Sequence, residues 1–212
     1  MIKSQKNEEI TGVILAGGKS SRMGENKSLL QIDGITLIER SYELLNSIFK
    51  KVIISTNEPQ LYDLVQIEKV KDVFSDLGPL CGIYSSLKSA NTKKIFVISV
   101  DLPFVLPDMI RYLINYKTDE PITLPCSKNG IQYLCGLYDQ QLIPIMENIL
   151  VSNNHARLDN KEIVKSSLSL WNFVERVGGE IIDVEEKLFY MKDSFFNINT
   201  PEDFEYVKTR LI

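Results

Sequence analysis

The chain predicts an α/β fold: one three-layer domain with a mainly parallel, twisted sheet and helices on both faces. Two observations carry this expectation. Short apolar runs alternate with segments of helical period through the first 120 residues, the pattern of successive βαβ units. The residues able to do chemistry stand just after the apolar runs, where open parallel sheets bind ligands. A chain of 212 residues can bury roughly 70% of its unfolded surface in one domain. No repeat or linker divides it, so residues 1–212 are read as one unit, with 1–10 as a flexible N-terminus.

The elements follow in order. "GVILA" (12–16) is a short apolar run ending at a glycine pair, as expected of a buried parallel strand. "ITLIERSYELLNSIF" (35–49) places Leu37, Ile38, Leu44, Leu45 and Ile48 at helical spacing, and "KVIIST" (51–56) is the second strand. "PQLYDLVQI" (59–67) reads as a short helix and "EKVKDVF" (68–74) holds a weak third strand. "GPLCGIYSSLKSA" (78–90) is a helix opened by glycine and proline, and "KKIFVISV" (93–100) is the clearest strand. In "PDMIRYLINY" (107–116), Pro107 suits a first helical turn. "PITLPCSKNGIQYLCGLY" (121–138) reads as two strands around a turn at Asn129-Gly130. "QQLIPIMENIL" (140–150) is a helix that Pro144 would kink, and "NNHARLDN" (153–160) a polar loop. The last helix has a readable start, with Thr200 as N-cap, Pro201 at N1, and Glu202 and Asp203 facing the helix dipole.

Composition narrows the function classes. A net charge of −4 argues against nucleic acid or an anionic membrane as partner. The polar N-terminus lacks a signal peptide, and "KKIFVISVDLPFVLP" (93–107) is broken by Asp101 and two prolines well short of a membrane span. Three cysteines, Cys81, Cys126 and Cys135, with no C-x-x-C pair suit a reducing compartment and a cytoplasmic protein. There is no His/Cys cluster for zinc. His155 lies in a polar stretch, and Ser20 and Ser21 have no base partner, so nucleophilic serine chemistry is not expected.

The stretch "TGVILAGGKSSRMGENKSLL" (11–30) invites two motif readings, and both fail. A Walker-type loop needs glycine where Val13 stands. A dinucleotide fingerprint is broken because Gly17 and Gly18 are adjacent. What remains is a glycine pair followed by Lys19, Arg22 and Lys27 at the end of the first strand. Glycines let backbone N–H groups approach phosphate oxygens, with Arg22 as a fork and Lys27 as a point charge. After the fourth strand comes Asp101, with Pro103 shaping the exit. A carboxylate beside a phosphate cradle is repulsive unless a divalent cation lies between them, which points to Mg²⁺ with a nucleoside triphosphate.

Together these residues resemble a known family. "LAGGKSSRMGENKSLL" is similar to the L-A-G-G-x-S-x-R-M-G-x-x-K signature of the molybdenum cofactor guanylyltransferases, nucleotidyltransferases of Rossmann-like, glycosyltransferase-A type fold. "KVKDVFSDLGPLCGIYSSL" resembles the family's D-x-x-x-x-x-G-P-L-x-G segment, "SVDLPFVLP" its C-D-x-P-F motif, and "FFNINTPEDF" its N-x-N-T-P-E-D ending. The ordered matches run from Val13 to Phe204, nearly the whole chain.

The resemblance implies transfer of GMP from GTP to the terminal phosphate of molybdenum-molybdopterin, with release of pyrophosphate. It implies that Leu15, Ala16, Gly17 and Gly18 hold the nucleotide, chiefly through backbone contacts on the guanine and ribose side. Lys27 and Arg22 would bind the triphosphate, Asp72 would recognise the nucleotide, and Asp101 would bind Mg²⁺, for which Mn²⁺ can substitute. Asn199 would be the neutral second ligand with Asn197 beside it, and Gly78 and Pro79 would lie toward substrate. Ser55 stands where some relatives carry a nucleotide-contacting asparagine, Val100 where they carry cysteine, and "IQYLCGLY" departs from their proline-containing form. Further implied partners are a GTP-binding adapter and acceptor molybdoenzymes or their chaperones. Two alternatives stay open: a cytidylyl or other nucleotidyl transferase of the same fold, and a non-catalytic GTP-binding regulator. The doubled glycine favours guanine, since cytidylyl relatives more often carry L-A-A-G. Asp101 counts against the regulator.

Overall fold

A computed structural model of the protein describes residues 6–17, 26–63, 66–159 and 163–211. The strands are β1 (Asn7–Leu15), β2 (Gln31–Ile32), β3 (Ile35–Thr36), β4 (Phe49–Ser55), β5 (Glu68–Val70), β6 (Lys94–Ser99), β7 (Ile122–Ser127), β8 (Gly130–Ile131), β9 (Cys135–Asp139) and β10 (Glu180–Asp183). The α-helices are α1 (Leu37–Asn46), α2 (Pro79–Ser89), α3 (Pro107–Ile114), α4 (Ile143–Leu158), α5 (Leu170–Val177) and α6 (Pro201–Lys208).

The main sheet runs β10-β7-β9-β6-β1-β4-β5, with β8 pairing off β7 and β2-β3 forming a separate hairpin. β1 is parallel to both β4 and β6, β5 is parallel to β4, and β10 to β7. β9 lies antiparallel between β6 and β7. The mainly parallel sheet is thus the expected one, and the hairpin turn before Gly130 joins β7 to β8.

Both faces are buried, which is why the strands read as continuous apolar runs. Alternate residues serve opposite cores. Ile14, Ile54, Phe96 and Ile98 pack with Leu37, Ile38 and Leu45 of α1, Met109, Ile110 and Leu113 of α3, and Val207 of α6. Val13, Ile53, Ile95 and Val97 pack with Leu80, Ile83 and Leu87 of α2, Met146 and Leu150 of α4, and Phe173 of α5. Local signals agree with this packing. Thr36 and Glu39 make a capping box at α1, and Thr200 and Asp203 make another at α6 behind Pro201.

Several expectations are corrected. β1 begins at Asn7, inside the stretch read as flexible. Among its described residues, "PQLYDLVQI" forms a 3₁₀ turn over Pro59–Tyr62 and no α-helix. Pro144 sits in the first turn of α4 and kinks nothing, because a first-turn proline has no intrahelical N–H to lose. α4 continues to Leu158 through the residues read as a polar loop. Buried Asn153 explains the continuation: its amide donates to Ile149 O and Ser167 Oγ and accepts from Val164 N, so its polarity is satisfied in the tertiary structure. α5 and β10 are additional elements. No helix among the described residues is long and apolar enough to cross a membrane.

Candidate active site

The register of the parallel strands builds the site. Leu15 pairs with Ser55 on one side and Ser99 on the other, and Ser55 pairs with Val70, so four strands end in one row. The ladder closes just beyond them through Ala16 N to Ser55 O (3.0 Å), Val100 N to Leu15 O (3.2 Å) and Thr56 N to Val70 O (2.9 Å). The residues that follow, Ala16-Gly17, Asn57, Asp72 and Asp101, leave the sheet at the same edge. The carbonyl of Leu15 and both backbone groups of Ala16 are already engaged within the protein. Gly17 is exposed, and a Cβ built on it meets nothing within 4 Å among the described residues. Gly18 and Arg22, with Lys19, lie outside the described residues.

Asp72 and Asn57 form a reciprocal pair between neighbouring strand ends. Asn57 Nδ2 donates to Asp72 Oδ2 at 2.8 Å, and Asp72 N donates to Asn57 Oδ1 at 3.1 Å. Burial pushes the half-buried Asp72 carboxyl above its ordinary value, the Asn57 bond pulls it back, and nearby Asp76 adds a smaller upward push. α2 crosses close behind. A Cβ on Gly82 would lie 3.0 Å from Ser55 Oγ, 3.2 Å from Leu15 Cδ2 and 3.6 Å from Asp72 Oδ1. The glycine therefore lets helix and strand ends meet. Gly78 caps α2 with φ of 73°, a left-handed conformation glycine adopts without strain.

Asp101 follows β6. Its Oδ1 is buried with no hydrogen-bond partner among the described residues, while its carbonyl accepts from Ile198 N at 3.1 Å. An unpartnered buried carboxylate oxygen is costly unless a cation meets it, so this atom fits a divalent metal. Among the described residues no three His, Cys, Asp or Glu gather to cage a metal alone. That donor set suits Mg²⁺, which commonly takes one or two carboxylates together with substrate phosphates and water.

The segment after Ile198 brings in the far end of the chain. Asn199 Oδ1 accepts from Lys27 Nζ at 3.0 Å, and Asn199 N donates to Asp203 Oδ2 at 2.8 Å. Asn197 turns its amide to Phe195 O at 3.0 Å. Lys27 is carried on a 3₁₀ turn, Lys27–Leu29, capped by Asn26. On the other side of the strand ends, an open cleft of about 540 Å³ lies among Gly78, Pro79, Tyr133, Leu134, Leu168 and Trp171.

The cysteines offer no nucleophile. Burial pushes the Cys135 thiol to about 12 and also raises Cys81 and Cys126, and a protonated thiol is a poor nucleophile. Sequence reading does not single out Asn57, Tyr62, Ser28 or Gly82. Asn57 and Asp72 become partners only through the β4-β5 register. The signal for Gly82 was its place inside a helical segment, where an isolated glycine often has a packing reason.

Comparison with known proteins places this geometry. Residues 12–166 match the family model of the MobA-like NTP transferase domain. A probable molybdenum cofactor guanylyltransferase of Clostridium perfringens is 33% identical over 199 residues, covering 92% of this chain and 94% of the relative. The crystal structure of molybdopterin-guanine dinucleotide biosynthesis protein A from Archaeoglobus fulgidus superposes with a TM-score of 0.76 at 22% identity, covering 95% of this chain and 98% of the other. A Mycobacterium tuberculosis protein solved in complex with manganese shares the fold, with a TM-score of 0.67 at 16% identity over 95% of this chain and 98% of that one.

Proposed function

Since the chain belongs to the MobA-like NTP transferases, we propose that it transfers GMP from GTP to the terminal phosphate of molybdenum-molybdopterin. The observation that carries the reading is the buried Oδ1 of Asp101, without a partner among the described residues and set on the same sheet edge as Gly17, Asp72 and the Lys27–Asn199 pair.

An oxygen of the molybdopterin phosphate attacks the α-phosphorus of GTP in line. A new P–O bond forms, the bond to the bridging oxygen breaks, and its electron pair leaves with pyrophosphate. The attacking phosphate is already anionic, so no general base is needed, and catalysis rests on positioning and charge neutralisation. Asp101 and the neutral amide of Asn199 would hold a divalent cation, Mg²⁺ or Mn²⁺; the Asn199 oxygen, which accepts from Lys27, has a second lone pair for it. The bound cation supplies Lewis-acid polarisation of the phosphates. Lys27 and Arg22 neutralise the charge growing on the leaving pyrophosphate. Gly17 and Gly18 give the phosphates and ribose close access to backbone, and Leu15 and Ala16 shape the base side. Asp72, steadied by Asn57, accepts the ring N–H and amino group of guanine. Ser55 and Asn197 support these residues, and the cleft beside Gly78 and Pro79 receives the pterin half.

The reaction is cytoplasmic, and its product passes to molybdoenzymes or their chaperones, with a GTP-binding adapter as a further partner. The test is direct. Purified protein is incubated with molybdenum-molybdopterin, Mg²⁺ and each nucleoside triphosphate, and dinucleotide product and pyrophosphate are measured. GTP should be the preferred donor. A cytidine dinucleotide as main product would move the protein to the cytidylyl branch, and GTP binding without any product would make it a regulator.

A further inference from the structure

Tyr62 ends the 3₁₀ turn after β4 and is 1% exposed. A buried phenol needs partners for its hydroxyl. Tyr62 Oη donates to Ala16 O at 3.1 Å, lies 2.7 Å from Ser28 Oγ, and accepts from Asn26 Nδ2 at 3.4 Å. Ser28 continues the chain, with Oγ 2.6 Å and N 3.1 Å from Asn26 Oδ1. Ala16 O and Asn26 Oδ1 only accept, so two hydroxyl hydrogens serve three short oxygen contacts. With the phenol hydrogen on Ala16 O, Tyr62 Oη can accept from Ser28 Oγ and from Asn26 Nδ2, and so links the end of β1 to the turn.

We propose that Tyr62 is a positioning residue that sets Lys27 against the end of β1, an inference that rests on the reading of Lys27 as a triphosphate clamp. Lys27 stands between Asn26 and Ser28, the two residues Tyr62 reaches. Within the turn, Leu29 N donates to Asn26 O and Leu30 N to Lys27 O, both at 3.1 Å. Such a short turn is ordered by its tertiary bonds and not by its own. Ala16 O, at the other end of the row, follows the β1 ladder. Tyr62 thereby fixes the distance between the strand end and the ammonium that would meet phosphate, although it touches no substrate itself.

The test is a double-mutant cycle of Tyr62→Phe with Lys27→Ala, read as kcat/KM for GTP, together with amide hydrogen exchange on the unliganded protein. Tyr62→Phe keeps the ring in the core and removes only the hydroxyl. It should lower kcat/KM about tenfold in the otherwise wild-type protein and less than about twofold when Lys27 is already alanine, because coupled residues are not additive. Ser28→Ala, which keeps the Tyr62 bond to Ala16, should repeat the loss. The amides of Ser28, Leu29 and Leu30 should exchange about tenfold faster in Tyr62→Phe, with those of α3 unchanged. An equal loss in both backgrounds, or unaltered exchange at 28–30, overturns the proposal. A Lys27→Ala variant with wild-type kcat/KM would sink the reading of Lys27 instead, and the exchange result would still decide whether Tyr62 sets the turn.

Discussion

Lys27 Nζ and Asn199 Oδ1 meet at 3.0 Å although 172 residues separate them in sequence. The contact joins the turn after the glycine-rich stretch to the segment entering α6. The residue before Asn199 donates its N–H to the carbonyl of Asp101. Lys27 and Asp101, the proposed clamp and metal ligand, are therefore tied to one short segment.

Lys27→Ala should lower kcat/KM for GTP by about 10²–10³-fold, the scale for losing one preorganised charge-stabilising contact. Arg22→Ala should also be impaired and Lys19→Ala less so. An exposed charge is screened by water and salt, whereas one held against phosphate acts at lower effective dielectric. The three variants are compared at two salt concentrations after each is shown to be folded. Equal, small, salt-sensitive losses would make the stretch a steering patch and not a clamp.

Asp101→Asn should abolish turnover while leaving the fold at least as stable, since it replaces a buried carboxylate oxygen that has no partner among the described residues. Differential scanning fluorimetry separates the roles. In the wild type, Mg²⁺ should enlarge the stabilisation by GTP through linked binding. In the variant the Mg²⁺ increment should vanish, with a smaller GTP shift remaining. An undiminished Mg²⁺ increment would remove Asp101 from the metal site.

Asp72 links pH to stability. Burial raises its carboxyl above the ordinary 3.8, so the folded protein binds this proton more tightly than the unfolded chain. The associated stability is full below the ordinary value and is lost as pH rises through the raised one. Asp72→Asn has no such loss. Its Tm should exceed the wild type by roughly 2 °C at pH 7, the scale for relieving one unfavourable buried charge, and the gain should shrink toward pH 4. Preference for GTP over ATP should fall in the same variant. A gain that does not vary with pH would mean the carboxyl is not the source.

The parallel half of the fold was legible because strands buried on both faces announce themselves as apolar runs, and because Thr200-Pro201 and Asp203 spell out a helix start. α5 carries Leu170, Phe173 and Val174 at i, i+3 and i+4, a short signal with exposed Trp171 and polar Asn172 between them and charged Glu175 and Arg176 after them. β10 is four residues long with two of them apolar, too short for periodicity to register. Asp101 and Lys27 could be proposed from sequence because each follows a strand or a motif. Asn57, Tyr62 and Ser28 could not, since their roles exist only in bonds between segments 15 to 46 residues apart.

Gly82→Ala sets two effects against each other beside Ser55, Leu15 and Asp72, the proposed base side of the site. Alanine in a helix interior gains about 1 kcal/mol over glycine. Its methyl would stand 3.0 Å from Ser55 Oγ and 3.2 Å from Leu15 Cδ2, and overpacking typically costs about 1–3 kcal/mol. The two nearest atoms are side-chain ends that can move by a few tenths of an ångström, so the cost falls at the low end. The two effects nearly cancel, and Tm should stay within about 3 °C of the wild type. Binding should not escape so lightly, because the atoms that move belong to Ser55, Leu15 and, 3.6 Å away, Asp72. KM for GTP should rise several-fold with kcat little changed, the signature of lost ground-state binding. Steady-state kinetics alongside a melting curve decides it: a stable variant with unchanged KM would place the guanine elsewhere than on these strand ends.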